Sequence, residues 1–126
     1  MICCAWLGNG SAAATTNWLR SAAAKCTWLT SVCTGALPLV GAGLARGRRV
    51  ITHHDFIHDL RAAGGSDVVE GVRFVRDGNL VTAAGVMSGI EMSLWLVEQP
   101  YGADLAAKAR SYIAYDYPPR GRVEEI

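Results

Sequence analysis

A chain of 126 residues with 12 Lys and Arg against 11 Asp and Glu carries almost no net charge. It therefore lacks the electrostatic footprint of a nucleic-acid or acidic-membrane binder. Its length suits one domain with its own core, and no run of about 18 apolar residues is present to span a bilayer.

Residues 2–7 read as a short strand and Gly8-Asn9-Gly10-Ser11 as a turn, while residues 12–16 carry no useful pattern. The start lacks the basic region of a signal peptide. Asn17 stands as the cap of a helix whose apolar face would hold Trp18, Leu19, Ala22, Ala23 and Cys26, with Arg20 and Lys25 opposite. Residues 1–16 stay unassigned.

Residues 27–32 mix β-branched and large apolar side chains, which suit a buried strand. Residues 34–45 are rich in Ala, Leu and Gly and are long enough for a helix. Cys33 stands at the junction, so it occupies a sharp strand-to-helix turn with the geometry of a nucleophile elbow. The sulfur would lie at the carboxyl edge of the sheet, near helix N–H groups that favour an anion. Gly35 would let a substrate approach the turn closely. A buried structural cysteine is the competing reading. The four cysteines, Cys3, Cys4, Cys26 and Cys33, show neither C-x-x-C spacing nor a disulfide framework. Free thiols in a reducing cytoplasm are the simplest expectation.

Arg46-Gly47-Arg48-Arg49 reads as a solvated loop and Arg49-Val50-Ile51-Thr52 as a short strand. Residues 27–52 then spell strand–helix–strand, with the two strands parallel through a right-handed crossover. Thr52 is placed to cap the next helix, with Asp55 three residues on. Phe56, Ile57 and Leu60 form the apolar face of that helix, which Gly64-Gly65 ends. His53 lies at the carboxyl end of a strand beside the elbow strand, the edge where α/β folds bind ligands. A packed loop histidine is the plain alternative. His54 and His58, four apart, would share a helix face, but no third ligand stands at a recognisable spacing. Neither a metal site nor a cofactor is expected.

Residues 72–76 alternate, Asp77-Gly78 signals a type I′ turn, and residues 79–83 return as the second strand of a hairpin. Ser88-Gly89-Ile90-Glu91 has the form of a capping box. Met92, Leu94, Trp95 and Leu96 make the following helix apolar enough to pack on a sheet. Gln99-Pro100-Tyr101-Gly102 breaks it, and residues 103–115 form a last helix. Tyr117-Pro118-Pro119-Arg120 cannot continue that helix, which leaves residues 118–126 as an extended, mobile tail.

Taken together, Val32-Cys33-Thr34-Gly35-Ala36, Thr52-His53, Arg76-Asp77-Gly78-Asn79-Leu80-Val81-Thr82 and Gly85-Val86 followed by Ser88-Gly89-Ile90-Glu91 resemble the ThiJ/PfpI superfamily. Within it they are most similar to isocyanide (isonitrile) hydratases and to the sensor domains of AraC-type regulators. The resemblance implies a flavodoxin-like, three-layer α/β/α sandwich with parallel strands plus a β-hairpin. Residues 17–117 would supply its C-terminal portion. It further implies Cys33 as the nucleophile, Thr34 assisting through its N–H or hydroxyl, and His53 near the site and a dimer contact. Gly35 would lie against the substrate.

Only 32 residues precede Cys33, and no acid precedes Asp55. The carboxylate and the Pro-Gly-Gly loop that the family places before its elbow therefore have no counterpart, and the sequence reads as truncated. Three functions follow. The chain is a hydratase-like cysteine enzyme, a hydro-lyase if another segment supplies the acid; or a ligand-sensing domain; or a catalytically silent homologue. The expected partners are a small molecule and a second copy of the chain, with neither nucleic acid nor membrane.

Overall fold

The structure is a computed structural model and describes residues 12–116 and 122–125. The strand expected at residues 2–7 and the turn at 8–11 lie outside the described residues. The first element is α1 (Ala12–Ala23), so Asn17 lies inside the helix rather than at its cap. Alanine is the strongest helix former, and the run at 12–14 extends the helix upstream of the capping signal. Leu19 is buried and Ala23 packs beside it, whereas Trp18 is 58% exposed. Cys26 follows the helix end. Arg20 is also not idle on the far face, because its Nε donates to the Ala42 carbonyl at 2.9 Å.

Strand β1 (Leu29–Val32) runs into a 3-10 turn (Cys33–Gly35) and the short helix α2 (Ala36–Gly41). Next come β2 (Arg49–Val50), a second 3-10 turn (His54–Phe56), α3 (Ile57–Ala63) and β3 (Asp67–Val68). A hairpin of β4 (Val72–Asp77) and β5 (Leu80–Ala83) precedes α4 (Val86–Tyr101), α5 (Ala103–Tyr112) and β6 (Arg122–Glu125). The main sheet has the order β1-β5-β4-β6, with β1 parallel to β5, β5 antiparallel to β4 and β4 parallel to β6. Thus Arg122–Glu125, expected to trail as a free tail, completes a sheet edge instead.

The crossover expectation needs a correction. β2 is not the hydrogen-bonded neighbour of β1; it pairs in parallel with β3 in a separate two-stranded sheet. The four-residue strand β5, buried throughout, offers β1 a longer ladder than a two-residue strand can. The chain after β2 is held by a side chain, because Ile51 N–H donates to Thr82 Oγ1 at 2.9 Å.

The hairpin loop is Gly78-Asn79, one residue later than the turn signal, closed by the Asp77–Leu80 pair. Gly78 has φ +59 and Asn79 is not left-handed, which is the pattern of a type II′ turn. Arg48 ties the loop before β2 to this turn, donating to Asn79 Oδ1 at 3.1 Å and to the Asp77 carbonyl. Arg49 N–H donates to Asp77 Oδ2 at 2.8 Å. The basic cluster therefore builds a turn-to-turn clasp instead of a free solvated loop.

Successive residues of β5 face opposite sides of the sheet. Leu80 joins Leu19, Leu29, Leu39 and Leu60 on one side, under α1, α2 and α3. Val81 and Ala83 join Phe74 and Met92 on the other, under α4. Both faces are covered, which gives the α/β architecture with a layer of helices on each side. Trp95 belongs to the second core, packed edge-on to Trp28 with ring centroids 5.4 Å apart.

The capping box at Ser88 does not form. α4 starts at Val86 with extended Gly85 as its cap, and Ser88 lies within the first turn. Glu91 is buried and meets Arg73 Nε at 2.6 Å, while Tyr115 Oη donates to its Oε1 at 3.2 Å. A sheet-facing carboxylate gains more from a guanidinium and a phenol than from one N–H at a solvated helix end. Pro100 lies in the last turn of α4 without ending it, and left-handed Gly102 (φ +83) makes the break to α5. Among the described residues no helix is long and apolar enough to cross a membrane.

Candidate functional site

Val32 is extended (φ −126, ψ 135), Cys33 turns to φ +57, and Gly35 is already helical (φ −59, ψ −16). Cys33 is one of two non-glycine residues with positive φ among those described, the other being Ala114. A cysteine in the left-handed region costs on the order of 1–3 kcal/mol and persists only where its surroundings overdetermine it. Two features do so here. The Cys33 carbonyl accepts both the Ala36 N–H and the Thr52 hydroxyl, the latter at 2.8 Å. In addition, α4 presses Gly89 against Val32 so closely that a Cβ there would lie 2.9 Å from both Val32 methyl carbons.

The helix behind the elbow is shorter than the sequence suggested. A 3-10 turn leads into six α-helical residues, and residues 42–47 are turns. Pro38 falls in the first turn of α2, where a missing N–H costs nothing.

Cys33 is half-buried and opens into a cleft of about 620 Å³. Ile51, Thr52 and His53 form one wall, Glu70 to Val72 the next, and Ala84 to Ser88 the third. The lining is mostly apolar with a few polar groups, the usual character of a small-molecule site. The structure thus brings Cys33 and His53 to one cavity. Thr34 and Gly35 follow Cys33 in the 3-10 turn, half-buried, and do not line the cleft.

His53, not Thr52, caps the turn before α3, its Nδ1 accepting the Asp55 N–H at 3.3 Å. Thr52 lies one residue before that cap, and its hydroxyl is turned to the elbow, donating to the Cys33 carbonyl. The His53 ring stacks on His54 at 4.0 Å between centroids, and a Cβ added to Gly85 would sit in ordinary contact with it, 3.8 Å from Cδ2. Among the described residues no carboxylate or imidazole hydrogen-bonds the Cys33 sulfur.

Glu70 is the cleft residue that sequence reasoning missed. It is the one acid in the lining and is ion-paired with Arg61. Its signal in the sequence is weak: an acid directly before Gly71, just past the carboxyl end of a two-residue strand. Glu91, by contrast, lies away from the cleft in its pair with Arg73.

The sequence pattern of the DJ-1/PfpI family matches residues 9–99. Isonitrile hydratase of Pseudomonas putida is 41% identical over 105 residues, covering 83% of this chain and 45% of that protein. The HTH-type transcriptional regulator CdhR of Pseudomonas aeruginosa is 32% identical over 91 residues, covering 72% of this chain and 27% of its own length. Among solved structures, a ThiJ/PfpI family protein from Pseudomonas syringae superposes with a TM-score of 0.76 at 31% identity, over 88% of this chain and 47% of the other. The chain thus spans about half the length, or less, of these relatives. With its left-handed elbow cysteine, its both-sided sheet and this match across most of its length, the chain belongs to the DJ-1/PfpI family.

Proposed function

We propose that this chain carries the cysteine centre of an isonitrile-hydratase-like protein, a small-molecule enzyme that adds water to an isocyanide. The observation that supports this best is the strained Cys33 at the mouth of a mostly apolar cleft, in a chain 41% identical to an isonitrile hydratase. Strain at a reactive side chain suits a nucleophile held for attack.

In this reading the Cys33 thiol adds across the terminal carbon of R–N≡C, forming an S–C bond and moving the thiol proton to the substrate, which gives a thioimidate. Water then adds to the same carbon, the C–S bond breaks, and the thiol regains a proton as the N-formamide R–NH–CHO leaves. Proton transfer of this kind is worth about a hundredfold or more. His53 and Glu70 are the cleft groups suited to it, while Thr34 and Gly35, which lie outside the cleft lining, shape the turn that holds Cys33. A reducing, cytoplasmic setting would keep the thiol free, and a second copy of the chain is the proposed protein partner.

A second reading is a ligand-sensing domain. It is favoured by the 32% identity over 91 residues to a transcriptional regulator. One experiment separates the two. The full chain is incubated with a simple alkyl isocyanide, and N-formamide is followed by proton NMR. Turnover that disappears in Cys33→Ala supports the enzyme. Saturable binding of the isocyanide without formamide supports the sensor and sinks the hydratase reading.

A further inference from the structure

We infer that His53, His54 and Asp55 form a binding site for one divalent metal ion of the zinc class. One ligand atom from each of these three residues lies within 4.8 Å of the other two. His53 Nδ1 stands 3.5 Å from Asp55 Oδ2, and His54 Nε2 stands 3.3 Å from Asp55 Oδ1. A tetrahedral zinc ion with ligands at about 2.0–2.1 Å holds them roughly 3.3–3.4 Å apart, so each imidazole already stands near that span from one Asp55 oxygen, and rotation of the exposed side chains brings the set onto one ion.

The charge pattern points the same way. Among the described residues Asp55 stands within 3.5 Å of the two imidazoles and is paired with no lysine or arginine. A carboxylate and two imidazole nitrogens converge as lone-pair donors with no fixed cation between them. A set of two nitrogens and one oxygen suits zinc and its borderline neighbours rather than calcium or magnesium. His53 Nδ1 accepts the Asp55 N–H at 3.3 Å, a bond that a metal at this nitrogen would replace. Three protein ligands leave a fourth position open. His53 and His54 also line the cleft that holds Cys33, so a bound ion would sit on its wall.

The site differs from the one that His54–His58 spacing would make. His54 sits in a 3-10 turn and α3 begins only at Ile57, so the two residues do not share a helix face. The inference does not depend on isocyanide chemistry, and its test reads binding alone. The full chain, stripped with EDTA and desalted, is titrated with zinc chloride against a chromophoric chelator. One zinc per chain at micromolar affinity is expected, with at least a tenfold loss in His54→Ala and in Asp55→Asn, and no change in His58→Ala or Cys33→Ser. The His54, Asp55 and His58 side chains are exposed, and circular dichroism of each variant checks that the fold is kept. No zinc retained by the parent chain overturns the site. So does binding that survives both His54→Ala and Asp55→Asn, or that falls equally in His58→Ala or Cys33→Ser.

Discussion

The hydroxyl of Thr52 donates to the carbonyl of Cys33 at 2.8 Å and so joins the end of β2 to the turn that carries the thiol. β1 and β2 share no ladder, which makes this bond a direct link between the two halves of the cleft wall. Thr52→Val keeps the shape and removes the donor, leaving the carbonyl with the Ala36 N–H. A loss of about 1–3 kcal/mol in urea unfolding is expected, with near recovery in Thr52→Ser. Equal stability of the Val and Ser variants would show that the bond contributes nothing.

Gly89 is the point where α4 meets β1. An added Cβ would stand 2.9 Å from both methyl carbons of Val32 and 3.6 Å from its Cβ, so something must shift. Gly89→Ala should therefore cost about 1–3 kcal/mol through overpacking. Val32→Ala should restore part of that loss in the double variant, a coupling that a double-mutant cycle measures directly. Additive effects would mean that the helix shifts freely.

Cys33 is expected to be unusual in giving up stability for its position. Cys33→Gly removes the side chain from a residue at φ +57, where glycine carries no steric penalty. Thermal unfolding should show a stability equal to or up to about 1 kcal/mol above that of the parent. Cys33→Val, β-branched and left-handed, should fall well below it. A Gly variant less stable than the Val variant would refute the strained elbow.

The buried pair of Glu91 and Arg73, 2.6 Å apart with the Glu91 side chain only 6% exposed, makes a fourth target. Glu91→Leu removes the carboxylate facing the Arg73 guanidinium, which keeps its contact with Tyr115 Oη, and should destabilise by about 3 kcal/mol. Replacing both, with Arg73→Met added, should recover most of the loss. Chemical denaturation of the single and double variants decides the point.

Self-association is an expected outcome of the exposed surface. Val86, Met87 and Ile113 are exposed, and Val86 and Ile113 line one apolar groove. Exposed apolar groups close together favour association. Light scattering of the full chain should report a dimer or a larger species. A monomer across a dilution series would count against it.

The elbow was legible in residues 28–37 alone. A β-branched run, a lone cysteine and then an Ala- and Leu-rich segment encode strand, turn and helix through local backbone preferences. The hairpin was legible for the same reason, because alternation and a glycine turn are local signals, although whether the turn is of I′ or II′ type depended on which residue became left-handed. Family membership was also carried by short motifs in order. Which strand lies beside β1, why Glu91 is buried, where the Thr52 hydroxyl points and that Glu70 reaches the cleft were decided only by the tertiary structure. Each depends on partners far away in sequence: Thr52 meets Cys33 across 19 residues, and Ile51 meets Thr82 across 31. Capping signals at Asn17, Thr52 and Ser88 failed for one physical reason. A cap contributes about 1 kcal/mol at a solvated helix end. An alanine run, a buried carbonyl or a buried ion pair outweighs it once the chain folds.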